Sequence, residues 1–231
     1  MKEQYLNFHQ HLENETTESR DYLLSAPVVS DVFDRRFSMY TYIAFLNQAY
    51  HHVRHTVPLL MLAGGRLSKS QRWLEGAIGE YIREEAGHEE WILNDIEACG
   101  FSRSSFAEGA APFDSEILAA YLYDTVQRCN PVGIFGMVQV LEGTSASLAP
   151  EVARIVQDEL DLPDSATTYL TSHGELDQEH LRHFRSIMKQ VNDHRDQADI
   201  VRVANSVYRL YGNVYRAIPV EAEVLASQVA A

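Results

Sequence analysis

The chain has 231 residues, 45% apolar and 23% charged, enough apolar material for a packed core under an ordinary polar surface. Its formal net charge of −14, from 33 acids against 19 bases, argues against nucleic acid or an anionic membrane surface as the main partner. No apolar run reaches the roughly 18 residues of a membrane span, the polar start lacks a signal-peptide core, and Cys99 and Cys129 alone make no disulfide framework, so a cytoplasmic protein is expected.

Taken in order, residues 2–24 read as a helix with Tyr5, Phe8, Leu12, Tyr22 and Leu23 on a broken apolar stripe. Pro27 follows, then a short segment with Val32, Phe33 and Phe37. The spacing of Tyr40, Ile43, Leu46, Tyr50, Val53, Leu59 and Leu60 predicts a helix over 37–63, kinked or ended near Pro58 and closed by Gly64 and Gly65. A helix capped by Ser68 or Ser70 is expected to run to Cys99 and stop at Gly100. Asp114 is the expected cap of a helix over 115–128. Pro131 suits the first turn of another over 131–147, whose Gly133, Gly136 and Gly143 suggest close helix packing. Pro150 is expected to open a separate short helix to Leu160. A long helix over 166–192 and a last one over 194–216 follow, and the apolar tail from Ile218 to Ala231 suits packing on a neighbouring copy. No period-two strand pattern competes and no linker interrupts, so an all-α fold in a single domain, 1–231, of about seven or eight helices is expected.

Three groups of residues carry chemistry. In the helix over 166–192, His173, Asp177 and His180 fall at i, i+4 and i+7 and leave the axis within a fan of roughly 60°. Two imidazoles and a carboxylate on one face suit a first-row metal, and equally suit a solvated polar face. Glu85 and His88 form Glu-x-x-His, the pair that carboxylate-bridged di-iron bundles use, with Glu84 as an alternative to Glu85 and with an acid-rich solvated face as the plain alternative to both. Glu142 sits in the most apolar helix, where an unpaired carboxylate is costly. It requires either a metal or a buried salt bridge to an arginine such as Arg83 or Arg182.

These elements together, Glu85-x2-His88, the run from Leu141 to Pro150 around Glu142, and His173-x3-Asp177-x2-His180, resemble the heme-oxygenase-like di-metal oxidases, relatives of the TenA and PqqC proteins. The separations also fit: 54 residues from His88 to Glu142 and 31 from Glu142 to His173. The resemblance covers about 35–192, leaving 193–231 as a last helix and tail. It implies a heme-oxygenase-like helical bundle with iron between its core helices (one ion or two, with manganese as the other candidate) and activation of O2 to oxidise a small organic substrate. Carried over by position, His88, Glu142, His173, Asp177, His180 and Glu85 are the metal ligands.

The chain departs from the fuller pattern in one respect. Tyr81 stands where several such oxidases carry a further carboxylate, and no acid lies between 35 and 74, where His51, His52 and His55 stand instead. Tyr50, His52, His55 and Tyr81 are the candidate substrate-pocket residues, with Trp91, Phe135 and Met137 as further walls; for each, ordinary core is the plain alternative. Tyr81, one turn before Glu85, is also a candidate redox or hydrogen-bonding group.

The first alternative shares the fold: a TenA-like aminopyrimidine hydrolase with Cys129 as nucleophile. A true heme oxygenase would need an axial histidine near the start, where His9 and His11 stand, and a non-catalytic helical binding protein would make the histidines incidental. A homodimer is the expected assembly.

Overall fold

The computed structural model describes residues 7–229, apart from the side chains of 173–179. Helices account for all of the regular structure among the described residues. An Asn7–Gln10 capping box starts α1 (Phe8–Glu15), and Thr16, whose hydroxyl donates to the Leu12 carbonyl at 2.8 Å, separates it from α2 (Thr17–Leu24). The expected single helix is therefore two, because Thr16 satisfies the preceding turn with its own side chain. Pro27 opens α3 (Pro27–Phe33) from its first turn. Ser38 and Thr41 form a second capping box at the head of α4 (Met39–Val53), and α5 (Thr56–Arg66) follows after a break at Arg54 and His55. Pro58 thus lies in the first turn of a new helix, where its missing N–H costs nothing, and the chain runs helically past Gly64 and Gly65 to Arg66.

The expected continuous helix over 68–99 is also divided. After a 3-10 turn at Arg72–Leu74, α6 (Glu75–Glu85) stops at Ala86, and α7 (His88–Ala98) begins two residues later. Between them Gly87 has φ +91°, a left-handed conformation open to glycine at little cost. The short α8 (Arg103–Ala107) leads to α9 (Phe113–Arg128), whose N-cap is Pro112, so that Asp114 lies in the first turn rather than at the cap.

A 3-10 turn at Pro131–Gly133 feeds α10 (Ile134–Leu160), one helix of 27 residues that passes through Pro150. The expected break there does not occur: Pro150 is exposed, and its buried neighbours Ala146, Ala149 and Ala153 hold the helix against the core. The helix α11 (Thr168–Met188) carries the histidine-rich stretch, and α12 (His194–Val229) continues well beyond 216. Ile218 and Ala222 of the expected tail are buried in this same chain, while Val220 and Val224 of that helix are exposed.

At the centre, α10 packs along α11 and α12, α12 also meets α2, α4 and α9, and α7 lies against α4 and α11. The closest approach is at Gly136, where a Cβ would lie 2.6 Å from the Ala204 nitrogen and 2.7 Å from the Ile200 carbonyl oxygen. Gly133 is similarly crowded by Val203, but Gly143 is not, so close packing explains two of the three glycines. Pro131–Leu160 is the one described helix with the length and mean hydropathy (1.2) of a membrane span, yet 72% of that window is buried inside the fold, as befits a central core helix.

Candidate metal centre

Four elements bring the chemistry together: the end of α6, the start of α7, the middle of α10 and the second half of α11. Glu85 is the last residue of α6, and the left-handed corner at Gly87 starts α7 on His88. The corner turns both side chains inward, so that His88 Nδ1 lies 3.1 Å from Glu85 Oε2 with both residues buried. An unbroken helix would also put i and i+3 side by side, but it would not let α6 and α7 diverge. Trp91 stacks on the His88 ring, centroids 4.1 Å apart.

Glu142 of α10 and His180 of α11 complete the cluster. Glu85 and Glu142 are each 7% exposed and His180 is 4% exposed. One ligand atom from each of these three lies within 4.8 Å of the others. The Nδ1 of His180 is 3.6 Å from Glu142 Oε1 and 3.8 Å from Glu85 Oε1. Two buried carboxylates this close to one nitrogen require a compensating cation or proton, and two carboxylates with an imidazole suit iron or manganese. The residues present fit a metal ion.

On its other side, His180 Nε2 lies 3.1 Å from Oε2 of Glu84, a half-exposed carboxylate. Such a pairing puts the ring proton on Nε2 and turns the Nδ1 lone pair toward Glu85 and Glu142, which is how an outer carboxylate orients a ligand histidine. Glu84 and Glu85 therefore divide the work: Glu85 faces the cluster and Glu84 holds its histidine. Further along α11, His183 Nε2 lies 3.3 Å from Glu80 Oε2, and the Tyr81 ring stands edge-on between His180 and His183.

Of the residues expected from the sequence, Glu85, Glu142 and His180 converge and His88 adjoins them through Glu85. The side chains of His173 and Asp177 lie outside the described residues, although both sit on the helical backbone of α11. Arg83 and Arg182, the arginines considered as partners for Glu142, are exposed.

A cavity of about 50 Å³ opens beside the cluster, lined by Glu85, Glu142, Tyr81, His52 and Met137. His52 is fixed in it by its Nδ1, which donates to the Gln48 carbonyl at 2.9 Å. Tyr50 and His55 do not line this cavity: Tyr50 packs on Arg54 and His51, and the His55 ring bonds the Tyr123 hydroxyl at 3.2 Å. Phe135 backs Tyr81 edge-on rather than reaching the space itself. Sequence reasoning missed Ser145, Tyr169 and Tyr211, which also line the cavity. The first two had a signal, since Ser145 lies one turn past Glu142 and Tyr169 one turn before His173. Tyr211 had none.

The cysteines stand apart. Cys129 is exposed at the end of α9, and Cys99 is half-buried, its thiol pushed up to about 12 by burial. His9 is buried on α1 beside Phe184 and pairs with Glu13, while His11 is exposed.

Comparison with known proteins agrees with this architecture. Residues 43–212 match the family model described as iron-containing redox enzymes. A domain of unknown function with a heme oxygenase-like fold from Shewanella denitrificans superposes with a TM-score of 0.84 at 22% identity, covering 96% of each chain. A TenA homologue from Pseudomonas syringae pv. tomato gives 0.76 at 13%, covering 92% of this chain and 93% of its own. Heme oxygenase-1 from Synechocystis, in complex with heme, gives 0.73 at 10%, covering 97% and 98%. Likeness at these identities shows the shared fold alone. No curated protein sequence matches significantly.

Proposed function

Because the chain belongs to the family of iron-containing redox enzymes, we propose that it binds iron at Glu85, Glu142 and His180 and uses O2 to oxidise a small organic molecule. The observation that carries this reading is the burial of two carboxylates and an imidazole around one point in the core of the bundle. His88 from the start of α7, and His173 and Asp177 from α11, complete the proposed ligand set for one ion or two. Manganese is the other candidate for that set.

Iron held there supplies the one-electron steps that O2 reduction requires. The chain supplies the setting. Glu85 and Glu142 offset the charge of the ion, and Glu84 orients His180 from outside. Tyr81, Met137 and the surrounding apolar side chains exclude water. His52, its Nδ1–H donating to the Gln48 carbonyl, is held in one orientation in the cavity wall, where it contributes a polar ring beside the bound substrate.

A cysteine hydrolase is the rival reading on the same fold. It needs its nucleophile in the cavity, and Cys129 stands exposed at the end of α9. The deciding experiment measures metal content after aerobic and anaerobic purification, for the wild type and for Glu142→Ala and His180→Ala. Iron at about one or two ions per chain, lost in both variants, supports the proposal. A wild type that stays metal-free after anaerobic loading with ferrous iron, together with an activity that Cys129→Ala abolishes, would replace it with the hydrolase.

A further inference from the structure

Next to the carboxylate cavity lies a second cavity, of about 90 Å³, whose walls contain no Asp, Glu, Lys, Arg or His. Ser145, Tyr169 and Tyr211 line both spaces, so the two meet at these three side chains. Along α10 the two share one face: Glu142, Ser145, Ala149, Val152 and Val156 succeed one another at helical spacing. At about 1.5 Å per residue, the path from Glu142 to Val156 is roughly 21 Å long. Helices α3, α4, α11 and α12 line the other sides. The Tyr42 hydroxyl in the wall is already used, donating to the Ala166 carbonyl at 2.8 Å. At the far end Phe33, 44% exposed, stands at the rim.

An uncharged cavity that shares three wall side chains with the cavity beside Glu85 and Glu142 suits a ligand with an aliphatic tail and one reactive polar end. A compact polar metabolite would leave the apolar space unfilled, and an ionised group along the path would have no partner. We propose that this cavity holds the tail of the substrate, an unbranched aliphatic chain that enters past Phe33 and places its polar end at Glu85, Glu142 and His180. This rests on the proposed oxidase reading for the chemistry at the polar end, but the tail site itself requires no metal.

The test is calorimetric titration of the full-length protein, metal-free and loaded with ferrous iron, with straight-chain carboxylates, alcohols and amines of six to sixteen carbons. Saturable binding is expected, tightening by about fourfold per added methylene until the chain outgrows the cavity. The three head-group series identify the polar end. Ala149→Phe and Val152→Phe, which obstruct the path, are expected to weaken the longer chains at least tenfold while iron stoichiometry is unchanged. Affinity that does not change with chain length in the wild type would overturn the proposal without reference to any variant, as would unchanged long-chain binding in both folded variants. Chain binding without iron loading would keep the tail site and remove only the oxidase, whereas iron loading without chain binding would do the reverse.

Discussion

Asp95 of α7 caps α11 across the helix interface. Its Oδ2 accepts the backbone N–H of Tyr169 at 2.9 Å, and its Oδ1 accepts that of Thr168 at 3.0 Å and the Thr168 hydroxyl. The carboxylate is fully buried, so its cap is also a fixed point between the helix that begins at His88 and the helix that carries His180. Burial pushes its carboxyl above the usual range, and the three hydrogen bonds oppose that rise. Asp95→Ala leaves the first N–H groups of α11 unpaired and is expected to cost about 2 kcal/mol, a melting temperature lower by roughly 4–8 °C. Asp95→Asn keeps one acceptor and sheds the buried charge, and about half that loss is expected. Iron affinity should follow the same order, and an Ala variant that melts early but binds iron with wild-type affinity would show that the cap does not set the ligand register.

Gly87→Ala tests the corner between Glu85 and His88. A methyl group there meets no neighbouring atom, so the cost comes from the backbone alone. Holding an alanine at φ +91° is expected to cost about 1–2 kcal/mol, or to straighten α6 into α7 and separate Glu85 from its place beside Glu142. Thermal unfolding reads the first outcome and iron stoichiometry the second. No change in either would mean that the corner is held by packing rather than by the glycine.

Gly136→Ala and Gly143→Ala should move in opposite directions. At 136 the new methyl would press on the backbone of α12, and about 1–3 kcal/mol of destabilisation is expected. At 143 the nearest atom is the Gln139 amide nitrogen at 4.0 Å, so the gain in helix propensity should stabilise by about 0.5–1 kcal/mol. Denaturant midpoints of the two variants decide this.

His51 predicts an acid limb. It is 3% exposed, its Nε2 has no hydrogen-bond partner, and burial, with Arg54 and His55 nearby, lowers its pKa from 6.5 to about 4. Because the folded value lies below the unfolded one, the unfolded chain binds more protons between these values. The contribution of His51 is therefore fully present above pH 6.5 and is lost as pH falls toward 4, by on the order of 1–3 kcal/mol. His51→Phe should flatten the stability curve over that window, measured by urea unfolding at successive pH values. An acid limb as steep as that of the wild type would assign it to other groups.

Much of the site was legible before the fold. Helical spacing and residue type brought forward Glu84 or Glu85, His88 and His180 as candidates, because a ligand must project from one face of its helix and that face repeats every 3.6 residues. Glu142 stood out for a physical reason, a carboxylate in an apolar run, and the fold places it where that charge can be offset. The segmentation was less legible. Thr16 and Gly87 break helices that their neighbours would continue, through a side-chain bond to the preceding turn and a left-handed backbone, whereas Pro150 fails to break one because packing outweighs local propensity there.

The amino-acid order by itself determined an all-helical chain and a short set of candidate ligands, since periodicity and residue type are properties of a single helix. Only the tertiary structure decided which of two adjacent glutamates faces the cluster, which histidines reach it, and that Tyr211 from the last helix joins Ser145 and Tyr169 in closing the cavity. Those outcomes depend on where separate helices cross, and a crossing is set by contacts between residues far apart in the chain, such as Gly136 against Ala204, that no local pattern records.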